Sequence, residues 1–255
     1  MAESHDSQDA PHQQSDLAAP RTWPGSRVLV RRGTPSAIRP HLPSSKYYTL
    51  RYAINAFLAA GESVVRDPAL SDDTDVLVAA LHALGAGVEW AGDLRDHPPA
   101  PGRPGAGHAA LRVHGCAGRP QVPAGGVIQV GNAGAVLRLL LGIGALLPTA
   151  RFVTAYPDSL GARPNADLLA ALEQLGIATE AREPGGRLPI TLHGGPPRGG
   201  AVTVSGARSS QYVSALLYLA PLTELGLRIK VTDELRSAPL VRATLRALGA
   251  AGIQV

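Results

Sequence analysis

The sequence predicts an α/β (α+β) fold in which one unit, helix–strand–helix–strand with further strands between, occurs three times. Two sets of matched segments carry that reading. The first set is TDVLVAALHALGAGVEW (74–90), NADLLAALEQLGIATE (165–180) and PLVRATLRALGAAGIQV (239–255). Each reads as an amphipathic helix closed by a glycine (Gly85, Gly176 or Gly249) and followed by a short strand. The second set lies upstream: SSKYYTLRYAINAFLAAGESVVRD (44–67), GNAGAVLRLLLGIGALLPTARFVTA (131–155) and SSQYVSALLYLAPLTELGLRIKVTD (209–233). Each opens on small polar residues, continues as a helix apolar on nearly every side, and ends in a β-rich run. A helix without a polar face is buried on most sides.

Composition narrows the function. The 255 residues suffice for one large domain or two small ones, and 45% hydrophobic residues allow a sizeable core. A net charge of +4 suits anionic ligands, but the basic residues are scattered, which argues against a nucleic-acid surface. Cys116 is the single cysteine, so no disulfide forms within the chain and no zinc-ligand spacing occurs. No apolar leader opens the sequence, and the best apolar stretch, Leu137 to Pro148, is too short to span a bilayer. The expectation is a cytoplasmic protein with no membrane, metal or cofactor requirement. A first-strand GxGxxG and a Walker A loop are both missing, which removes the usual dinucleotide and nucleoside-triphosphate sites. Residues 1–22 are polar and read as a disordered tail, and the Pro/Gly-dense run from Ala91 to Gly107 reads as a surface loop.

The chemistry concentrates at the helix starts. A helix N-terminus presents unpaired N–H groups and a partial positive charge, so it attracts phosphate and carboxylate. The three upstream helices begin Ser44-Ser45-Lys46, Gly131-Asn132-Ala133-Gly134 and Ser209-Ser210-Gln211. Ordinary capping accounts for any one of them, since Ser and Asn are favoured N-caps. Three at equivalent repeat positions point to an anion. Lys46 and Arg51 both lie early in the first helix, where cations oppose the helix dipole unless an anion joins them. Arg163 precedes Pro164, expected at the first position of a helix, and an extended arginine there suits bidentate contact with an anion. Asp72 and Asp73 read as helix caps, and the eight histidines as surface residues.

Five segments, PSSKYYTLR with SDDTDVLVAALHALGA, GNAGAVLRLLLG, DSLGARPNADLLAALEQLG, GARSSQYVSALLYLAPL and ELRSAPLVRATLRALG, occur in this order. Together they resemble the 5-enolpyruvylshikimate-3-phosphate synthase family of enolpyruvyl transferases, from about Leu42 to the end. The resemblance implies an inside-out α/β barrel-like domain of three βαβαββ repeats about a pseudo-threefold axis, with a second domain missing or only begun. On that plan, residues 23–44 are a strand region packing with the second domain. Residues 45–240 are the first domain, and 241–255 start the second or end the third repeat. The implied activity moves the enolpyruvyl group of phosphoenolpyruvate to a hydroxyl of a phosphorylated acceptor, with phosphate release. Carried onto this chain, Lys46 (the one catalytic assignment), Asn132, the Gly134 backbone, Arg163 and Gln211 contact phosphoenolpyruvate. Tyr47, Arg51, Ser209, Ser210 and Ser237 contact the acceptor.

Departures from the family pattern shape two further expectations. Tyr47 replaces a serine beside the acceptor carboxylate, Leu50 an asparagine, Ala135 a threonine, Leu139 a proline and Leu240 a ring-lining tyrosine. Phosphate-gripping positions are kept while ring-reading ones change. The expected acceptor is therefore a phosphorylated compound other than shikimate 3-phosphate, such as a nucleoside monophosphate. The family also needs a second domain for proton transfer, so a further domain or a partner chain is expected to complete the site. The competing reading is a non-catalytic anion-binding module on the same fold.

Overall fold

Alternation of apolar helices with short β-branched runs yields fifteen elements in a computed structural model that describes residues 44–91 and 109–255. All of these residues lie within the unit His41–Val255. The expectations for the tail, for the strand region before Ser44 and for nearly all of the Pro/Gly-dense loop fall outside the described residues. The elements are α1 (Lys46–Leu58), β1 (Glu62–Arg66), α2 (Asp72–Ala83), β2 (Gly87–Ala91), β3 (Ala110–His114), β4 (Val127–Gln129), α3 (Gly134–Gly144) and β5 (Thr149–Val153). They continue as α4 (Ala166–Glu173), β6 (Ala178–Arg182), β7 (Arg187–His193), β8 (Gly200–Val204), α5 (Ser210–Leu219), β9 (Leu227–Val231) and α6 (Ala238–Ala250).

Three sheets form. The first is antiparallel in the order β1-β3-β2; the second runs β4-β5-β7-β6, with β4 and β5 parallel and the rest antiparallel; the third is the parallel pair β8-β9. Among the described residues these sheets stay separate and open. Among the described residues the architecture is mixed α/β with no closed barrel.

The apolar helices go where their composition sends them. α3 buries Val136, Leu137, Leu139, Leu140, Leu141 and Ile143, and α5 buries every residue but Gln211. Each fully buried Leu, Ile or Val contributes roughly 1.5–3 kcal/mol. α3 packs against α5, α5 against α6, and α6 against α1. The α3–α5 approach is close enough that a Cβ on Gly142 would lie 2.4 Å from the Ala215 carbonyl oxygen. Small size, not flexibility, is what Gly142 supplies.

A second close approach recurs. β3 and β7 each end in His-Gly, and the chain then passes beneath the C-terminus of a buried helix. A Cβ on Gly115 would lie 2.2 Å from Ala59 O, and one on Gly194 would lie 2.7 Å from Ala145 O. The following residues bond those same carbonyls, Ala117 N to Ala59 O at 2.9 Å and Gly195 N to Ala145 O at 3.2 Å. Helix-end carbonyls lacking an intrahelical partner are thereby satisfied.

Several boundaries differ from expectation. Gly85 sits just past α2 at φ 96°, as a helix-ending glycine should. Gly176, at φ 84°, lies beyond the Gln174 cap of α4. Gly249 ends nothing: α6 runs through it to Ala250, and the left-handed residue is Gly252 at φ 79°. No strand follows at 253–255. α6 buries Val241, Ala243, Thr244, Ala247 and Leu248. Pro164 precedes the Asn165 cap rather than opening α4, and α2 is capped by Ser71, whose side chain accepts from Thr74 N. Asp72 and Asp73 occupy the first turn instead of the cap.

Two glycine replacements should move stability in opposite directions. Gly142→Ala forces a methyl into the α5 backbone and should cost about 1–3 kcal/mol. Gly249→Ala meets nothing within 4 Å and should stabilise by roughly 0.5–1 kcal/mol through helix propensity. Urea denaturation of the two variants beside the parent chain checks both signs.

Candidate anion-binding site

The leading helices differ in how their starts are closed. Ser45, before α1, makes no side-chain capping bond, and Ala133, before α3, has no group that could make one. Only α5 is capped, by Ser209 accepting from Gln211 N. Capping therefore leaves the N–H groups of α1 and α3 to find other partners, which is the condition for anion binding.

Side-chain bonds between matching turns put these starts on one side. Arg138, in the second turn of α3, donates from Nη1 to Gln211 Oε1 in the first turn of α5 at 2.8 Å. Thr244, in the second turn of α6, donates to Ser214 Oγ in the second turn of α5 at 2.9 Å. Arg51, in the second turn of α1, donates from Nε to Thr244 Oγ1 at 2.8 Å. The N-terminal ends of α1, α3, α5 and α6 are thus neighbours.

Around the start of α3 the structure brings three of the expected residues together. A Cβ on Gly134 would lie 3.0 Å from Arg163 Nη1 and 4.0 Å from Arg138 Nη1, so both guanidinium groups flank that backbone. Gln211 joins through Arg138. Arg163 is exposed and its side chain makes no hydrogen bond or ion pair among the described residues. Its carbonyl accepts from Asn165 Nδ2 at 3.0 Å, and that amide also donates to Gly186 O at 3.1 Å. Asn165 Oδ1 accepts from Arg138 Nε at 3.3 Å, so this cap residue spends its side chain on positioning and none on capping α4. Burial lowers the Arg138 pKa from its usual value, and the nearby Arg163 charge adds to this against the opposing Tyr212. Two like charges at an uncapped helix start favour an anion between them.

Lys46 opens α1, and its Nζ lies 3.1 Å from Asp73 Oδ2. Asp73 is thus the counter-charge of a candidate anion-binding residue, a role that reading it as a cap missed. α2 also carries Val76, whose Cγ2 would lie 2.6 Å from a Cβ on Gly131. Lys46 and the Gly131–Gly134 turn are therefore both held against the first turns of α2. Asn132 is exposed on that turn.

Arg51 is placed differently from the other cations. It is 2% exposed. Besides Thr244, its guanidinium donates to Tyr47 O at 2.9 Å and Leu240 O at 3.0 Å, binding α1 to the start of α6. Burial lowers its pKa, and no carboxylate balances its charge among the described residues. Ser237, just before α6, sits in left-handed backbone at φ 54° and is exposed. Ser210 is buried at the start of α5, whereas Tyr47 is 43% exposed beside Lys46. Leu50 is fully buried, so the expectation that it is a ring-reading position fails: it is a core residue. A hollow of about 580 Å³ lies elsewhere, beside α4, and its three glutamates, Glu173, Glu180 and Glu183, would repel an anion. Among the described residues no cluster of His, Cys, Asp or Glu could hold a metal, and no helix is long and apolar enough to cross a membrane.

The structure defines an α/β chain whose basic, uncapped helix starts gather at one end, a class suited to anionic ligands. The sequence pattern of EPSP synthase (3-phosphoshikimate 1-carboxyvinyltransferase) matches residues 38–255, and the chain belongs to that family. Among its relatives is the 3-phosphoshikimate 1-carboxyvinyltransferase of Deinococcus radiodurans, 45% identical over 82% of this chain and 43% of the relative. The enzyme of the same name from Halorubrum lacusprofundi is 39% identical over 88% of this chain and 45% of its own length. The chain thus spans a little under half the length of these curated relatives. The EPSP synthase of Acinetobacter baumannii shares the fold, with a TM-score of 0.67 at 22% identity over 84% of this chain and 43% of that one.

Thr244→Val keeps the shape of the α6 side chain but removes the acceptor of Arg51 Nε and the donor to Ser214. Leaving a buried charged donor unpaired should cost about 1–3 kcal/mol. Thr244→Ser should restore most of it, and equilibrium denaturation of the pair checks the difference.

Proposed function

We propose that this chain carries the first-domain half of an enolpyruvyl transferase site. Lys46, Asn132, the Gly134 N–H, Arg163 and Gln211 hold phosphoenolpyruvate; Tyr47, Ser209, Ser210 and Ser237 face the phosphorylated acceptor, with buried Arg51 behind them tying α1 to the start of α6. The observation that carries the reading is the meeting of Arg163, Arg138 and Gln211 at the uncapped Gly134 helix start. Phosphoenolpyruvate brings a carboxylate and a phosphate, and donors fixed in advance stabilise its charge as it develops. One run of the element order, β4-α3-β5-α4-β6-β7, has the βαβαββ pattern and supports the repeat plan that the resemblance implies.

In the reaction, the acceptor hydroxyl gives up its proton to a base as its oxygen bonds to C2 of phosphoenolpyruvate, while C3 takes a proton. Departure of phosphate from C2 and of a proton from C3 then restores the double bond. Lys46, as the catalytic residue, would balance the charge of the departing phosphate. Proton transfer belongs to the rest of the site, supplied by a further domain or a partner chain.

The relatives' names favour shikimate 3-phosphate as acceptor. One observation favours another phosphorylated acceptor: bulky Tyr47 is exposed beside Lys46 where the resemblance expects a serine. Burial of Leu50 removes one of the other arguments for that view. Single-turnover phosphate release from phosphoenolpyruvate tests the reading, with each acceptor and with and without a supplied C-terminal half. Release only in the combined system supports a half-site; phosphoenolpyruvate binding without release under any combination supports a non-catalytic module. In binding assays, Gly134→Ala should displace the Arg163 guanidinium and weaken phosphoenolpyruvate about tenfold. Because the clash is with a movable side-chain end, stability should change by less than about 0.5 kcal/mol.

A further inference from the structure

We propose that Arg138 is a positioning residue that turns Gln211 into a hydrogen-bond donor for an anion at the start of α3. The inference rests on the functional reading above and adds to it a residue that the resemblance did not supply. Arg138 lies one turn into α3, and side chains of a helix lean toward its N-terminus, which carries its guanidinium back to the Gly134 turn. A guanidinium has five donors and no acceptor. Gln211 can therefore meet Arg138 only through Oε1, at 2.8 Å. That fixes the amide: Nε2 faces away from Arg138, and it makes no hydrogen bond among the described residues.

The same logic acts on a second amide. Asn165 meets Arg138 through Oδ1 at 3.3 Å, which leaves Nδ2 to donate to Arg163 O at 3.0 Å and Gly186 O at 3.1 Å. One donor-only group thus orients both Gln211 and the backbone that carries Arg163. The guanidinium is itself held over the Tyr212 ring, 5.5 Å from its centre, and the Tyr212 hydroxyl donates to Pro164 O at 2.8 Å. Without Arg138, the Gln211 amide would be free to rotate and offer its oxygen, which repels an anion.

The test has two stages on the ¹⁵N-labelled chain. Without ligand, relaxation of the Gln211 side-chain amide should show it ordered in the parent chain and mobile in Arg138→Met, both measured well below their melting temperatures. With phosphoenolpyruvate added, the Gly134 backbone and Gln211 side-chain signals should both shift in the parent chain. In Arg138→Met the affinity should fall roughly tenfold, the loss expected for one hydrogen bond to a charged group. There the Gly134 signal should still respond while that of Gln211 does not. Gln211→Ala should cost a similar factor, and the double variant no more than either single one. Should Arg138→Met not fold, Arg138→Lys keeps a donor-only group, though not the guanidinium fork, and should retain an ordered amide at reduced affinity. An equally ordered Gln211 amide in Arg138→Met, an unchanged affinity in Arg138→Lys, or losses that multiply in the double variant, overturns the inference. An ordered amide with no response of Gly134 to phosphoenolpyruvate instead sinks the functional reading, and the ligand role of Arg138 with it.

Discussion

Donors that can only donate, one buried (Arg51) and one half-buried (Arg138), set the geometry of these helix starts. Arg51 and Arg138 each sit in the second turn of an otherwise apolar helix, and each reaches sideways to the start of a neighbouring one. A guanidinium in the interior is costly unless its N–H groups find oxygen, and the oxygens nearest to hand belong to helix first turns. Satisfying Arg51 draws α6 onto α1; satisfying Arg138 draws α5 and the α4 cap onto α3. The Thr244–Ser214 bond closes the series between α6 and α5. Helix starts that would repel one another are held together, and the positive ends accumulate on one side.

That arrangement explains why capping is sparse there. A side-chain cap on α1 or α3 would satisfy the same N–H groups that an incoming anion needs. Ala133 offers nothing, and Ser45 leaves its hydroxyl unused for capping. Asn165 could cap α4 but binds Arg138, Arg163 and Gly186 instead. Local stability of about 0.5–2 kcal/mol per missing cap is given up, and open N–H donors are the result. Lys46 is treated similarly: Asp73 holds it at 3.1 Å, close enough to orient it and solvated enough to release it.

Much of this was legible in the sequence because helix and strand periodicity differ and the repeat was triple. The helices α1, α3 and α5 fall inside the segments predicted for them, each followed by its strand. What escaped was side-chain direction. Arg138 was passed over, although the Leu-Arg pair of YYTLRYAI recurs in GAVLRLLL and places a charge in the same turn of two buried helices. Arg51 was read as facing a ligand, but a charge surrounded by apolar residues goes inward when a neighbouring helix offers carbonyls and a hydroxyl. Gly249 was read as a terminator because a glycine after an apolar run usually is one. The helix continued since Val241, Ala247 and Leu248 bury one continuous face beside it. The paired His-Gly steps after β3 and β7 were also present to be read, but their meaning depends on a helix end that sequence spacing does not locate.

The division between buried and exposed cations bears on how binding energy is used. Arg51 and Arg138 have their donors committed to protein oxygens, so they contribute order. Lys46 and Arg163 face outward, where water screens a charge pair at 4 Å to roughly 1 kcal/mol. An anion gripped from this side alone is therefore oriented more strongly than it is held. Covering the helix starts would lower the local dielectric and strengthen each of these contacts without moving any of them. In the proposed site, the exposed guanidinium of Arg163 and the oriented amide of Gln211 are fixed dipoles, which gain most where water is excluded.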